Sequence, residues 1–171
     1  KVANYLKSFG VKKFDRVGIL LPQSLQCLVS HISVFKIGAI SVPLFLLFGP
    51  DALEYRISDA NIKIIITDES GAKKIRSMGN DLQKELIIFT IEGNIKKLKS
   101  ITINFSEINV SSEFIIEKTN SEDPALLLYT SGTTGPPKGV LHAHRVLLGH
   151  LPAFEFYLDL FSTYKNKIYN L

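Results

Sequence analysis

The stretch Ala125-Leu126-Leu127-Leu128-Tyr129-Thr130-Ser131-Gly132-Thr133-Thr134-Gly135-Pro136-Pro137-Lys138-Gly139-Val140 decides how the rest of the chain is read. An apolar run leads into it and a long apolar-periodic segment follows, so it reads as the loop between a buried strand and a helix. Hydroxyls, glycines and one lysine gathered at such a turn have the chemistry of a phosphate cradle. Small residues let backbone N–H groups point inward, hydroxyls add hydrogen bonds, and the lysine brings a mobile positive charge. The plain alternative is a Ser/Thr/Gly-rich surface turn without a ligand, but such turns rarely carry this order with a lysine fixed behind two prolines.

The loop is not a Walker A loop, which ends in Gly-Lys-Ser/Thr. Counted from Gly132, the position of the second glycine holds Pro137, and Lys138 is followed by Gly139. The hydroxyl that would hold Mg²⁺ in a Walker loop is therefore missing. Here the hydroxyls of Thr130, Ser131, Thr133 and Thr134 come first, and a Pro-Pro pair stiffens the approach to the lysine.

Flanking segments predict alternating elements. Val2 to Phe9 reads as the end of a helix closed by Gly10 in a left-handed cap, and Arg16 to Leu21 as a strand ended by Pro22. Ser24 caps a helix to about Ile37 that Gly38 stops. Ala39 to Phe45 is a second strand, and Asp51 with Glu54 forms a capping box for a helix to Ala60, a better account of these two carboxylates than catalysis. A strand from Ile62 to Thr67, a helix over about Ala72 to Leu82 and a strand from Leu86 to Ile91 follow. Glu92 to Asn120 is the least legible part and is expected to contain a surface excursion. The strand Ala125 to Thr130, the loop and a helix over about Val140 to Tyr157 complete the pattern. The fold expected is α/β, a layered and mostly parallel sheet with helices on both faces.

Composition excludes several classes. The 171 residues are 46% hydrophobic and 21% charged, a globular balance. Net charge is +4, but the lysines (Lys12, Lys13, Lys73, Lys74, Lys96, Lys97, Lys99) are scattered without interleaved aromatics, so solvated faces are expected rather than a nucleic-acid surface. The single cysteine, Cys27, falls in an apolar helical pattern and reads as a buried, inert thiol in a reducing compartment. The longest apolar run, Gly38 to Gly49, contains Pro43 and falls short of the about 20 residues of a membrane span. The chain opens on Lys1 with no signal-peptide pattern, so a cytoplasmic protein, open to being cut at both ends, is the simplest account. Of the histidines, His142, His144 and His150 are expected on the helix after the loop and His31 on another helix face. No carboxylate or cysteine joins them at ligand spacing, and a metal site is not expected.

The twelve positions from Tyr129 to Val140 closely resemble the phosphate-loop signature of the adenylate-forming superfamily, which includes acyl-CoA synthetases, luciferases and the adenylation domains of peptide synthetases. The segment Asp15 to Ser24 resembles an early strand-turn of acyl-CoA synthetases. Gly38 to Arg56, with Val42-Pro43-Leu44-Phe45 and Phe48-Gly49-Pro50-Asp51-Ala52-Leu53, looks more like the short- and medium-chain members. The resemblance implies an AMP-forming ligase of fatty-acid metabolism. ATP and a carboxylic acid would give an acyl-adenylate with loss of pyrophosphate, and CoA would then take the acyl group. It implies Thr130, Ser131, Gly132, Thr133, Thr134, Gly135 and Lys138 as the β/γ-phosphate cradle, with Lys138 as the catalytic charge-stabiliser. His144, followed by Arg145, matches a histidine near the acyl pocket, with a plain helix-surface histidine as the alternative.

ATP and CoA are thus the implied co-substrates, and the Mg²⁺ that accompanies ATP has no ligand in this chain. Members of the family run to several hundred residues. Their aromatic-Gly-x-Thr-Glu and Thr-Gly-Asp segments, ribose-binding aspartate and C-terminal catalytic lysine would all lie beyond Leu171. Residues 1–171 are therefore expected to be an N-terminal part of the large AMP-binding domain, inactive alone. An adenylation domain that loads a carrier protein, or a non-catalytic phosphate-binding remnant, are the other readings, and the oligomeric state stays open.

Overall fold

Strand and helix alternate along the chain as the periodicity predicts. The computed structural model describes residues 1–78, 86–91, 100–102, 108–131 and 135–162. Within them the chain forms α1 (Val2–Ser8), β1 (Arg16–Leu20), α2 (Leu25–Ile37), β2 (Ile40–Pro43), α3 (Pro50–Asp59), β3 (Ile64–Thr67) and α4 (Glu69–Arg76). These are followed by β4 (Ile87–Thr90), β5 (Ser100–Thr102), β6 (Pro124–Thr130), β7 (Lys138–Ala143) and α5 (Arg145–Ser162). Among the described residues, seven strands form one sheet in the order β5-β4-β3-β1-β2-β6-β7. Every neighbouring pair is parallel except β6 and β7.

From β1 the chain crosses to β2 on one side, then passes back over β1 to β3 on the other and continues outward to β4. Right-handed crossovers that run in opposite directions put their helices on opposite faces. Accordingly Leu6 of α1 and Val34 and Ile37 of α2 pack on one face, with Val17, Ile19, Ile64, Ile66 and Phe89. Leu53 and Ile57 of α3 and Ile75 of α4 pack on the other, with Leu20, Val42, Ile65, Ile88 and Leu127. The two-residue period of the strands divides each of β1, β3 and β4 between these cores. At about 1.5–3 kcal/mol for each fully buried aliphatic or Phe side chain, the two layers outweigh any single polar contact.

The local signals act mostly where the sequence puts them. Ser24 caps α2 by accepting from the Cys27 N–H at 3.2 Å; the cap of α4, which the sequence reading did not mark, is Asp68, accepting from the Gly71 N–H at 2.7 Å. Gly10 and Gly38 take positive φ values of 89° and 73° at the ends of α1 and α2. The capping box at α3 does not form. Its N-cap is Gly49, because Pro50 at the first helical position sets the start before Asp51, whose carboxylate falls in the first turn instead. Helix α4 begins at Glu69 rather than Ala72 and ends at Arg76, with Ser77 as its C-cap, short of the expected Leu82; residues 79–82 lie outside those described.

Two larger expectations are corrected. Residues 138–143 are a strand, not the start of a helix: β7 pairs antiparallel with β6, and the helix begins only at Arg145. Cross-strand pairing with β6 satisfies the backbone of a short segment whose apolar residues alone suit either period. The segment 92–120 is more than a surface excursion. It contains β5, which extends the parallel sheet beside β4, and Ile108 is buried in the α1/α2 core. Asn4 in α1 donates to the carbonyls of Ser111 and Glu113 at 2.8 and 2.7 Å, and the Glu117 N–H donates to Lys36 O at 3.0 Å.

Gly71 marks the tightest approach in this architecture. A Cβ there would collide with the Thr67 hydroxyl and lie 3.0 Å from the Leu20 side chain, while the buried Thr67 hydroxyl donates to Leu20 O at 2.8 Å. Replacing a helical glycine by alanine ordinarily gains about 1 kcal/mol, but overpacking of this kind costs more. Gly71→Ala is expected to destabilise the fold by about 1–2 kcal/mol net, read as a lower denaturant midpoint at unchanged slope.

Candidate functional site

Strand β6 carries the candidate loop. It runs parallel to β2, so its carboxyl end opens on the same edge as those of the other parallel strands, the edge where open α/β sheets bind ligands. Thr130, the last residue of β6, pairs with Lys138, the first of β7. The loop is thus the connection of a hairpin rather than a strand-to-helix turn, and Lys138 sits directly across from the residue where the loop begins. Thr130, Ser131, Gly135 and Lys138 are exposed, and Gly135 has φ of 109°. The Lys138 ammonium has no ion-pair partner among the described residues. Gly132, Thr133 and Thr134 lie outside the described residues.

Gly139 owes its identity to the neighbouring strand. It stands opposite Tyr129 in the ladder, and a Cβ on it would lie 3.1 Å from Leu127 Cδ1 and 3.4 Å from Tyr129 Cζ. The absent side chain leaves room for the tyrosine ring to lie across the strand.

Both flanks of the loop are tied to α3, which the sequence did not single out. The Tyr129 hydroxyl donates to Asp59 Oδ2 at 2.5 Å, and the Tyr55 hydroxyl donates to Pro137 O at 3.1 Å. The two tyrosine rings meet edge to face, with centroids 6.5 Å apart. Arg56 lies between them in sequence and is only 7% exposed. Its guanidinium stacks 3.9 Å from the Phe48 ring centre and 5.7 Å from that of Tyr129. Its Nη1 donates to Ala52 O at 2.7 Å, while Nε is buried without a hydrogen-bond partner among the described residues. The ring faces supply much of what water would otherwise give this cation. Burial first, then the bond to Asp59, raises the Tyr129 pKa above the ordinary tyrosine range, so its hydroxyl remains a donor at neutral pH. A signal for this cluster was present in the sequence. Leu53, Arg56, Ile57 and Ala60 share one helix face, and three of the four are apolar.

The histidines are dispersed. His142 is in β7 opposite Leu126, His144 in the turn after it and His150 in α5, so only His150 is on the post-loop helix. The His150 Nδ1 lies 2.8 Å from Val146 O. His144 is half-buried, its N–H donating to Asp123 O at 2.9 Å and its ring edge-on to Phe35 at 6.2 Å. β7 runs five strand steps of ~3.4 Å from Lys138 to Ala143, about 17 Å, and His144 lies one residue beyond its end. The structure brings Thr130 and Lys138 together and leaves His144 apart. His31 is on the face of α2, as expected, and half-buried there, with its Nδ1 2.7 Å from the hydroxyl of the buried Ser41. Burial lowers the pKa of both His31 and His144, partly offset at His144 by the Asp123 carboxylate. A groove of about 330 Å³ between β7 and α5, lined by His142, Arg145 and His150 among others, lies along this far half of the strand and not at the loop.

Among the described residues, no group of three or more His, Cys, Asp or Glu could hold a metal ion, and no helix is long and apolar enough to cross a membrane.

A sequence model of the family described as AMP-binding enzyme matches residues 1–166. The acetyl-coenzyme A synthetase of Desulfatibacillum aliphaticivorans is 36% identical over 156 residues, covering 83% of this chain and 24% of that protein. Among solved structures, the acyl-CoA synthetase of Brucella canis superposes with a TM-score of 0.74 at 29% identity, covering 86% of this chain and 27% of that one. The luciferase-like enzyme of the mealworm Zophobas morio gives a TM-score of 0.76 at 26% identity, covering 91% of this chain and 36% of that one. The chain spans about a quarter of the length of the curated relatives it matches.

The buried imidazoles give a signed pH dependence. The unfolded chain takes up protons near the ordinary value of 6.5, while the folded chain resists them at His31 and His144 until lower pH. Their contribution to stability is therefore present above about pH 6.5 and lost as pH falls below it. Thermal unfolding midpoints recorded from pH 7.5 to 5.5 should fall, and His31→Gln should flatten that decline.

Proposed function

The chain belongs to the AMP-binding enzyme family, and on that premise we propose that it supplies the pyrophosphate-side grip of an adenylating active site. Residues 1–171 are read as an N-terminal part of the AMP-binding domain. In the proposed reaction a carboxylate oxygen attacks the α-phosphorus of ATP, the bond to the β-phosphate oxygen breaks, and pyrophosphate leaves with the bonding electron pair. The thiol of CoA then attacks the acyl carbon and releases AMP. Acetate or another short- or medium-chain acid is the proposed substrate, which would put the enzyme in fatty-acid metabolism. The reading is supported by the likeness of Gly38 to Arg56 to such enzymes and by relatives that are themselves acetyl-coenzyme A synthetases. A cytoplasmic setting, where ATP and CoA are supplied and the lone Cys27 stays reduced, belongs to the same proposal.

The observation that carries the reading is the pairing of Thr130 with Lys138 at the carboxyl edge of the sheet. It sets Thr130, where the loop begins, opposite the exposed Lys138, where it ends. Thr130, Ser131, Gly132, Thr133, Thr134 and Gly135 are the proposed cradle for the β- and γ-phosphates. Lys138 is the proposed stabiliser of the charge that gathers on the leaving pyrophosphate. Mg²⁺ would screen the ATP phosphates when bound. No group of ligands for it occurs among the described residues, and no step is assigned to it. His144, in the turn after β7, is the proposed acyl-pocket histidine, separate from the phosphate cradle.

Acid-dependent exchange of labelled pyrophosphate into ATP, measured on the polypeptide as the cell makes it, tests the reading. Lys138→Ala should slow exchange by more than about tenfold, or over ~1.4 kcal/mol of transition-state stabilisation. An unchanged rate would remove Lys138 from the chemistry, and no exchange with acetate or any other short or medium acid would favour a remnant without catalysis.

A further inference from the structure

Lys138 takes its backbone position from Pro137, and Pro137 is not free. Its carbonyl, half of the peptide unit that leads into Lys138, accepts the Tyr55 hydroxyl at 3.1 Å. One turn along the same helix, Asp59 accepts the hydroxyl of Tyr129 at 2.5 Å, on the residue just before Thr130. Residues 55 and 59 are four apart, so they project from one face of α3. A single rigid element therefore grips the hairpin on both sides of its loop. Between the two, the buried Arg56 fills the space under Tyr129 and packs on Phe48, so α3 cannot slide past the tyrosine without uncovering a charge. Leu53 and Ile57, fully buried on the sheet, hold α3 itself in place.

The geometry points to Tyr55 as a positioning residue: through its hydrogen bond to the Pro137 carbonyl it sets where the Lys138 ammonium lies relative to the phosphate. The inference rests on the reading of Lys138 as the phosphate-side cation. It separates Tyr55 from ordinary packing residues, because the ring contact with Tyr129 is made without the hydroxyl, whereas the bond to Pro137 needs it. Tyr55→Phe removes one oxygen, keeps the ring and leaves the core under α3 intact.

The test is a double-mutant cycle in pyrophosphate exchange. Tyr55→Phe is expected to lower kcat about three- to tenfold with the KM for the acid unchanged, since displacing a positioned catalytic group acts on the transition state. In a Lys138→Ala background the same change is expected to have no effect, because the group it positions is gone. Equal rates for wild type and Tyr55→Phe would overturn the inference. So would a loss of the same size in both backgrounds, the behaviour of a residue that only packs. Should the wild type exchange no pyrophosphate with any acid, the functional reading fails by itself, and amide hydrogen exchange decides the positioning. Tyr55→Phe should then accelerate exchange at Lys138 and Gly139 and leave β1 and β3 unchanged, and exchange at Lys138 and Gly139 equal to wild type would overturn it.

Discussion

Burial of β1 on both faces is the constraint from which the rest follows. Val17, Ile19 and Leu20 are almost completely inaccessible, and β1 has parallel neighbours on each side. A strand so enclosed needs a helical layer above and below, and the handedness of parallel crossovers distributes α2 to one layer and α3 and α4 to the other. The same parallelism makes the strands end on one edge. The loop after β6 emerges on that edge because β6 joins the sheet parallel to β2, with Ser41 beside Leu126.

Helix α3 links that framework to the site. Its apolar face holds Leu53, Ile57 and Ala60 in the second core, while Tyr55, Arg56 and Asp59 reach the hairpin. Core packing and site geometry are thus carried by the same ten-residue element. Lys74 adds to this by donating to the carbonyls of Leu46 and Phe48, in the loop that leads into α3.

Much of this was legible in the sequence. The strands of the parallel sheet announce themselves as short, continuous apolar runs, and Ser24, Gly10 and Gly38 mark their helix ends by side-chain or backbone chemistry that acts locally. What was not legible depends on partners far along the chain. Lys138-Gly-Val-Leu-His-Ala becomes a strand because β6 lies beside it, and its own residues suit either period. The expected helix over Val140 to Tyr157 puts His142 and His144 on the wrong element, since one is in β7 and the other in the turn after it. Ser100-Ile-Thr forms β5 only because β4 offers an edge. The burial of Arg56 shows in the sequence only through its phase among Leu53, Ile57 and Ala60. At Asp51 two local signals competed, and Pro50 prevailed over the capping box.

The two-point attachment of the hairpin to α3 also bears on when conformational entropy is lost. A connection whose ends are free must be gathered by its ligand, and binding is weakened by the freedom removed. Here Tyr129 and Pro137 are already held, at positions set by a helix seated on the core. The restriction of those ends is met during folding, so less of it is left for a ligand to impose. Affinity at such a loop then reflects the strength of its hydrogen bonds and charge more than the ordering of its ends. Warming that loosens α3 from the sheet would weaken ligand binding before the sheet itself comes apart.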